Sequence, residues 1–233
     1  MDRITRKELK TDKFALEVSH TMDFFEEHRK EILRYGAVAL VVALAVTAIY
    51  FYRRQQRNEQ TTELAQAIRV YQAPVGQAAP NASLSFPTQE AKAAEAKKSL
   101  TSVAAKYGGS DEGQVAHYYL GALAVDQGNL AEAEKHFKQA SDSGDEKYAS
   151  LARLALGELY FAQGRADQGE KILRALMQNS TIFVSKEQAA IALAKNLMRT
   201  KPEEARKLVE PLRTQRGEAS KVAIQLYSEI PAR

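Results

Sequence analysis

The hydrophobic pattern of this chain changes character twice. Residues 1–34 mix charge with a helical spacing of apolar side chains: Phe14, Val18, Met22, Phe25 and Ile32 fall near one face of a helix over Phe14–Leu33. The stretch before it, LKTDKF, is more polar and reads as a lead-in. Then comes an uncharged run of eighteen residues, YGAVALVVALAVTAIYFY, from Tyr35 to Tyr52. As a helix it would be about 27 Å long, against roughly 30 Å for a bilayer's hydrocarbon core. Arg34, Arg53 and Arg54 flank it at snorkelling distance, and Tyr35, Tyr50 and Tyr52 suit the interface. A soluble core helix would carry a polar stripe, which this run lacks. A cleaved signal peptide would have a shorter charged lead and a small-residue site after the apolar segment, where this chain has TAIYFYRRQQR. The pattern predicts an uncleaved single-pass anchor.

Beyond residue 53 the apolar positions repeat. Three segments align at a constant offset of 36: AHYYLGALAVDQGNLAEAEKHFKQA from Ala116, ARLALGELYFAQGRADQGEKILRAL from Ala152 and QAAIALAKNLMRTKPEEARKLVEPL from Gln188. Each reads as a helix, a short turn and a second helix. The turns are Gln127-Gly128-Asn129, Gln163-Gly164-Arg165 and Thr200-Lys201-Pro202. Glycine suits a left-handed helix stop and Pro202 suits a first helical turn. Leu120-Gly121 and Leu156-Gly157 set a large residue beside a minimal one, so the paired helix can approach closely. Ala133, Gly169 and Ala205 are small at the expected crossing, and Phe137, Leu173 and Val209 follow as knobs.

A degenerate unit precedes these three. Its helices are Asn58–Gln72 and Thr88–Tyr107, the second with Ala96, Leu100 and Val103 at the packing positions. Ala73–Pro87 separates them as a proline-rich loop. After the third full unit, Glu218–Ile230 reads as a capping helix closing the last face with Val222, Leu226 and Ile230. The organisation is a tail (1–34), a transmembrane helix (35–52) and a helical repeat domain (53–233). Its repeats cover about 58–107, 114–142, 150–178 and 186–214, with the cap at 218–230. The fold class is all-α: one N-terminal transmembrane helix, then a helix-pair solenoid with a C-terminal capping helix.

Composition adds limits. The 181 residues after the apolar run are enough for one domain with a core. Cysteine is absent, which removes disulfides, thiolate metal sites and thiol nucleophiles but does not separate cytoplasm from periplasm. Net charge is +4, part of it in Arg53, Arg54 and Arg57, where anionic lipid is the simplest partner. Elsewhere Lys and Arg alternate with Glu and Asp. No basic stripe carries interleaved aromatics, so nucleic acid is not an expected partner.

The repeat units resemble tetratricopeptide repeats. Gly121, Ala133, Phe137 and Ala140 match the family's Gly, Ala, Phe and Ala positions, and Gly157 and Tyr160 match in the next unit. His117 or Arg153 stands at the family's Trp position, no proline closes the units, and the period is two residues longer than usual, the extra residues falling between units. The whole layout resembles the YfgM-like proteins of bacterial inner membranes. That resemblance implies an ancillary partner of the Sec translocon and of periplasmic chaperones. It supports a cytoplasmic tail and a periplasmic repeat domain. The tail has eight basic residues, although the residues nearest the run favour the opposite orientation slightly. The alternative is a cytoplasm-facing repeat scaffold for envelope or pilus assembly.

No catalytic constellation emerges. His20 and His28 are eight residues apart, too far for a usual helical ligand pair, and His117 and His136 sit at packing positions of one repeat. GxSxG, HExxH and phosphate-loop motifs are missing. The sequence therefore predicts no enzyme, no cofactor, no metal and no small-molecule substrate. The family register places Tyr118, Ala122 and Val125 on the concave face of one unit. It places Leu154, Glu158 and Phe161 there in the next, and Ala190, Ala194 and Leu197 in the last. These nine either line an open, mostly apolar groove for a segment of another protein or belong to the core.

Overall fold

The computed structural model describes residues 29–76, 84–142 and 146–231, and the chain divides into two compact units, Met1–Asn58 and Glu59–Arg233. The expected tail helix up to residue 28, with His20 and His28, lies outside the described residues.

In the first unit the described residues belong to helix α1, Arg29–Gln72, which is 44 residues long. It does not stop where the apolar run ends, because RRQQRN contains neither glycine nor proline to break it. None of its most apolar eighteen-residue window is buried. Val41, Leu44 and Tyr52 are each more than half exposed. The one hydroxyl within the run is satisfied along the helix: Thr47 Oγ1 donates to the carbonyl of Ala43 at 2.7 Å. By length and composition α1 is able to cross a membrane.

Among the described residues the second unit is built from helices, with a single isolated bridge between Val75 and Phe86 in the loop that follows α1. It comprises the end of α1 and then α2 (Gln89–Lys106), α3 (Asp111–Asp126), α4 (Leu130–Ser141), α5 (Glu146–Ala162), α6 (Ala166–Gln178), α7 (Lys186–Leu197), α8 (Pro202–Val209) and α9 (Glu218–Glu229). The starts are set by local chemistry. Thr88 Oγ1 accepts from the amide of Ala91 at 3.2 Å, Ser110 Oγ from Gly113 at 3.3 Å and Asn129 Oδ1 from Glu132 at 3.2 Å. Ser185 and Gln188 form a reciprocal capping box at the start of α7. The expected left-handed stops are present: Gly128 has φ +74° and Gly164 has φ +76°. Pro202 opens α8, and Pro211, lacking an amide hydrogen, coincides with a tightening into the 3₁₀ turn Glu210–Leu212.

Helices pair as α3 with α4, α5 with α6 and α7 with α8, and neighbouring pairs stack. The small residues allow the close crossings. A Cβ on Gly121 would lie 2.6 Å from the Phe137 ring, and one on Gly157 would lie 2.9 Å from Leu173 Cδ2. Ala133, Leu173, Ala205 and Val209 are fully buried, as is Val184 from the loop before α7. The last core cluster joins α6, α7 and α8 to Ala223, Leu226 and Ile230 of the cap. Here the structure corrects one reading: Val222 is exposed, and Ala223 takes the inward position with Leu226 and Ile230. The 223/226/230 spacing follows one helical stripe more closely than a strict step of four.

The 36-residue period also appears in polar contacts. Glu134 accepts from Lys138 on its own helix at 2.7 Å and from Arg165 of the next unit at 2.7 Å. One period later, Glu170 pairs with Arg174 at 2.8 Å and with Lys201 of the following unit at 2.9 Å. Lys138 and Arg165 hold the Glu134 carboxyl down to about 2, and Lys201 and Arg174 lower Glu170. Between α2 and α4 a different pair serves, Lys97 with Glu132 at 2.9 Å. Beyond α8, Arg206 donates to the carbonyl of Ile230 at 2.9 Å and lies over the Tyr227 ring, tying the cap to the array.

Candidate protein-interaction site

Where α3, α4 and α5 meet, the repeat leaves a pocket of about 320 Å³. Tyr118, Ala122, Val125 and Asp126 come from α3, Leu130 and Phe137 from α4, and Ala155, Glu158, Leu159 and Ala162 from α5. The four α3 residues share a face because they are spaced four, three and one apart. Leu130 opens α4 and Phe137 is the knob fitted against Gly121, so the floor is set by the same crossing that fixes the helix pair. Tyr118 is held by rings on two sides, Tyr119 at 5.4 Å edge-on and Phe137 at 6.0 Å tilted.

Of the nine residues expected on a concave face, Tyr118, Ala122, Val125 and Glu158 meet at this pocket. Leu154 and Phe161 are half-buried against the neighbouring core cluster. Ala190, Ala194 and Leu197 are within that core, at 4%, 0% and 1% exposure. The family register treated the three units alike, but α7 is packed beneath α9 and α3 is not. Asp126, Leu130, Ala155, Leu159 and Ala162 were missed, and Phe137 was expected only as a packing knob. Asp126 and Ala162 end their helices four residues after Ala122 and Glu158, a signal that the i, i+4 spacing carried.

The electrostatics of the pocket are one-sided. Its two charged residues, Asp126 and Glu158, are both acidic. Tyr71 Oη donates to Asp126 Oδ2 at 3.4 Å. Removal from water raises the Glu158 carboxyl, and the positive charge of Lys195 on α7 only partly offsets this. Burial, with the Tyr119 ring and Glu158, raises the Tyr118 hydroxyl.

His117 and His136 form a second polar feature in the same unit. Their Nδ1 atoms are 3.1 Å apart and their rings are stacked, with centroids at 5.3 Å. One Nδ1 must carry a hydrogen and the other must accept it, so the contact requires at least one neutral ring. Burial lowers both imidazoles. His136 adds to the effect on His117, while Glu132 opposes it at His136, where Lys135 and Lys97 lower it further. The sign follows directly. The unfolded chain binds these protons first, so their stabilisation is full above about pH 6.5 and is lost as pH falls through the lower folded values. Glu134 and Glu170 lose theirs only below about pH 4.5. Stability should therefore decline in two stages on acidification. His117→Gln with His136→Gln should flatten the first stage alone, read as urea midpoints against pH. An unchanged slope between about pH 7 and 5 would refute the assignment.

Among the described residues, no group of three or more His, Asp or Glu is placed to hold a metal ion. The site therefore offers shape, apolar surface and negative charge, which suit binding. No curated protein sequence and no solved structure matches the chain. A sequence profile described as a tetratricopeptide repeat-like domain matches residues 23–210. With the paired helices, glycine stops and small-residue crossings of that span, the match shows that the chain belongs to the tetratricopeptide repeat-like domain family.

Proposed function

We propose that this protein is a membrane-anchored interaction module whose repeat pocket receives a segment of a partner protein. The observation that carries the reading is the open pocket between α3 and α5, which stays lined by apolar side chains while the equivalent surface of the last unit is closed by the cap. Family membership supports binding of protein partners in general. The exposed apolar run of α1 supports a single-pass anchor, with Arg53, Arg54 and Arg57 beside anionic headgroups. The layout's resemblance to YfgM-like proteins supports a more specific role. The tail would lie in the cytoplasm of a bacterial cell, the repeats in the periplasm, and the partners would be the Sec translocon and periplasmic chaperones. Nothing in the described pocket favours catalysis.

Crosslinking in intact membranes tests this. Translocon or periplasmic chaperone subunits should be recovered with the native chain. The yield should fall severalfold with Ala122→Trp, which fills the pocket without adding charge. Recovery of cytoplasmic proteins alone would overturn the periplasmic reading and favour a cytoplasm-facing scaffold. Equal recovery with Ala122→Trp would remove the pocket from the binding surface. A phosphatase fused after Arg233 should be active only if the repeats are outside the cytoplasm.

A further inference from the structure

We infer that the pocket selects a cationic apolar segment, in which a Lys or Arg beside the buried anchor side chain pairs with Glu158. This deepens the proposed function and rests on its reading of the pocket as a binding site. The central observation is a carboxylate without a partner. Glu158 has no hydrogen bond or ion pair among the described residues, and only Lys195 acts on it, at longer range. The surrounding helices have no shortage of ion pairs. Glu134 and Glu170 each hold two cations, and Glu132 holds Lys97. Glu158 stands apart because the residues around it in the pocket are Tyr118, Ala155, Leu159 and Ala162.

An unpaired carboxylate beside apolar walls is only partly shielded from water, and a cation brought with the ligand would complement its charge. Glu158 itself is reachable from solvent, so a partner can meet it without opening the fold. Its charge lies near the Tyr118 hydroxyl and across the pocket from Asp126, the other acidic group. Ring face, carboxylates and apolar floor together suit an ammonium or guanidinium carried on an apolar stem. No Lys, Arg or His lines the pocket, so an acidic tail or a phosphate group would meet only like charge there. The volume is at the small end of the roughly 300–1,000 Å³ range for binding pockets, which suits side chains of one segment more than a folded surface.

The test uses the full chain in detergent and three short fluorescein-labelled peptides of one length. All share an apolar i, i+3, i+4, i+7 pattern, and their remaining positions are Lys, Gln or Glu. Anisotropy should rank them Lys, Gln, Glu, with the Lys peptide about tenfold tighter than the Glu peptide. Glu158→Gln should narrow that ratio to roughly twofold, and 1 M salt should narrow it in the native chain. Equal affinity for all three, with binding blocked by Ala122→Trp, would overturn the charge preference and leave the pocket reading intact. Binding of no peptide, or binding unaffected by Ala122→Trp, would overturn both. A ratio unchanged by Glu158→Gln would show that the preference arises elsewhere and would also overturn the inference.

Discussion

Replacing Leu173 with alanine should destabilise the repeat unit by roughly 2–5 kcal/mol, the range for deleting a fully buried leucine. Leu173 has no exposed surface, and it is the knob that fills the space left by Gly157 on the facing helix. Gly157→Ala should also destabilise, by about 1–3 kcal/mol. Its new Cβ would sit 2.9 Å from Leu173 Cδ2 and 3.0 Å from Cγ, and a buried Leu173 has nowhere to move. The double variant is the informative one. With Leu173 truncated, the added methyl enters the vacated space and gains about 1 kcal/mol of helix propensity over glycine. The pair should therefore cost less than the sum of the singles. Urea unfolding of the full chain in detergent, followed by circular dichroism, measures all three. Simple additivity would mean that the knob and the glycine do not act as one contact.

The second large effect concerns α1. Val42→Lys combined with Ala43→Lys should abolish stable membrane association, because each lysine at mid-span is opposed by about 2.5–3.5 kcal/mol on insertion scales. Both positions lie near the centre of the uncharged run, and the window around them is unburied. Alkaline carbonate extraction of cell membranes reads the outcome. The native chain should stay in the pellet and the double variant should enter the supernatant. A native chain released by carbonate would refute an integral anchor, and the apolar run would then need another protein to cover it.

Much of this architecture is legible in the sequence because it is written in residues with few alternatives. Gly128 and Gly164 occupy left-handed conformations that other residues adopt at a cost, and Gly121 and Gly157 face side chains that leave no room for a methyl. Such positions survive any detail of surface chemistry, so the 36-residue register shows through. The site is less legible. Ala122 and Ala194 are the same residue at equivalent register positions, two periods apart, yet one lines a pocket and the other is in the core. The difference lies in what packs over them, a tertiary fact with no local signature. The His117–His136 contact likewise depends on two helices meeting at one angle. The pairing of Glu134 with Arg165 and of Glu170 with Lys201 was within reach, since both pairs recur at the period.

Those recurring ion triads bear on how long such an array can become. A unit copied within the array, residues 166–201 inserted again after Lys201, would keep a carboxylate opposite a cation at each new junction. At the far end the rule reverses, because one period beyond Glu170 the chain carries Arg206. A unit appended there would bring its own basic turn residue against a guanidinium already committed to Ile230. Tandem duplication can thus lengthen the interior at little electrostatic cost, whereas growth at the terminus meets like charge. A single charge reversal marks where counting stops, and any longer descendant of this chain should carry its extra unit on the inside.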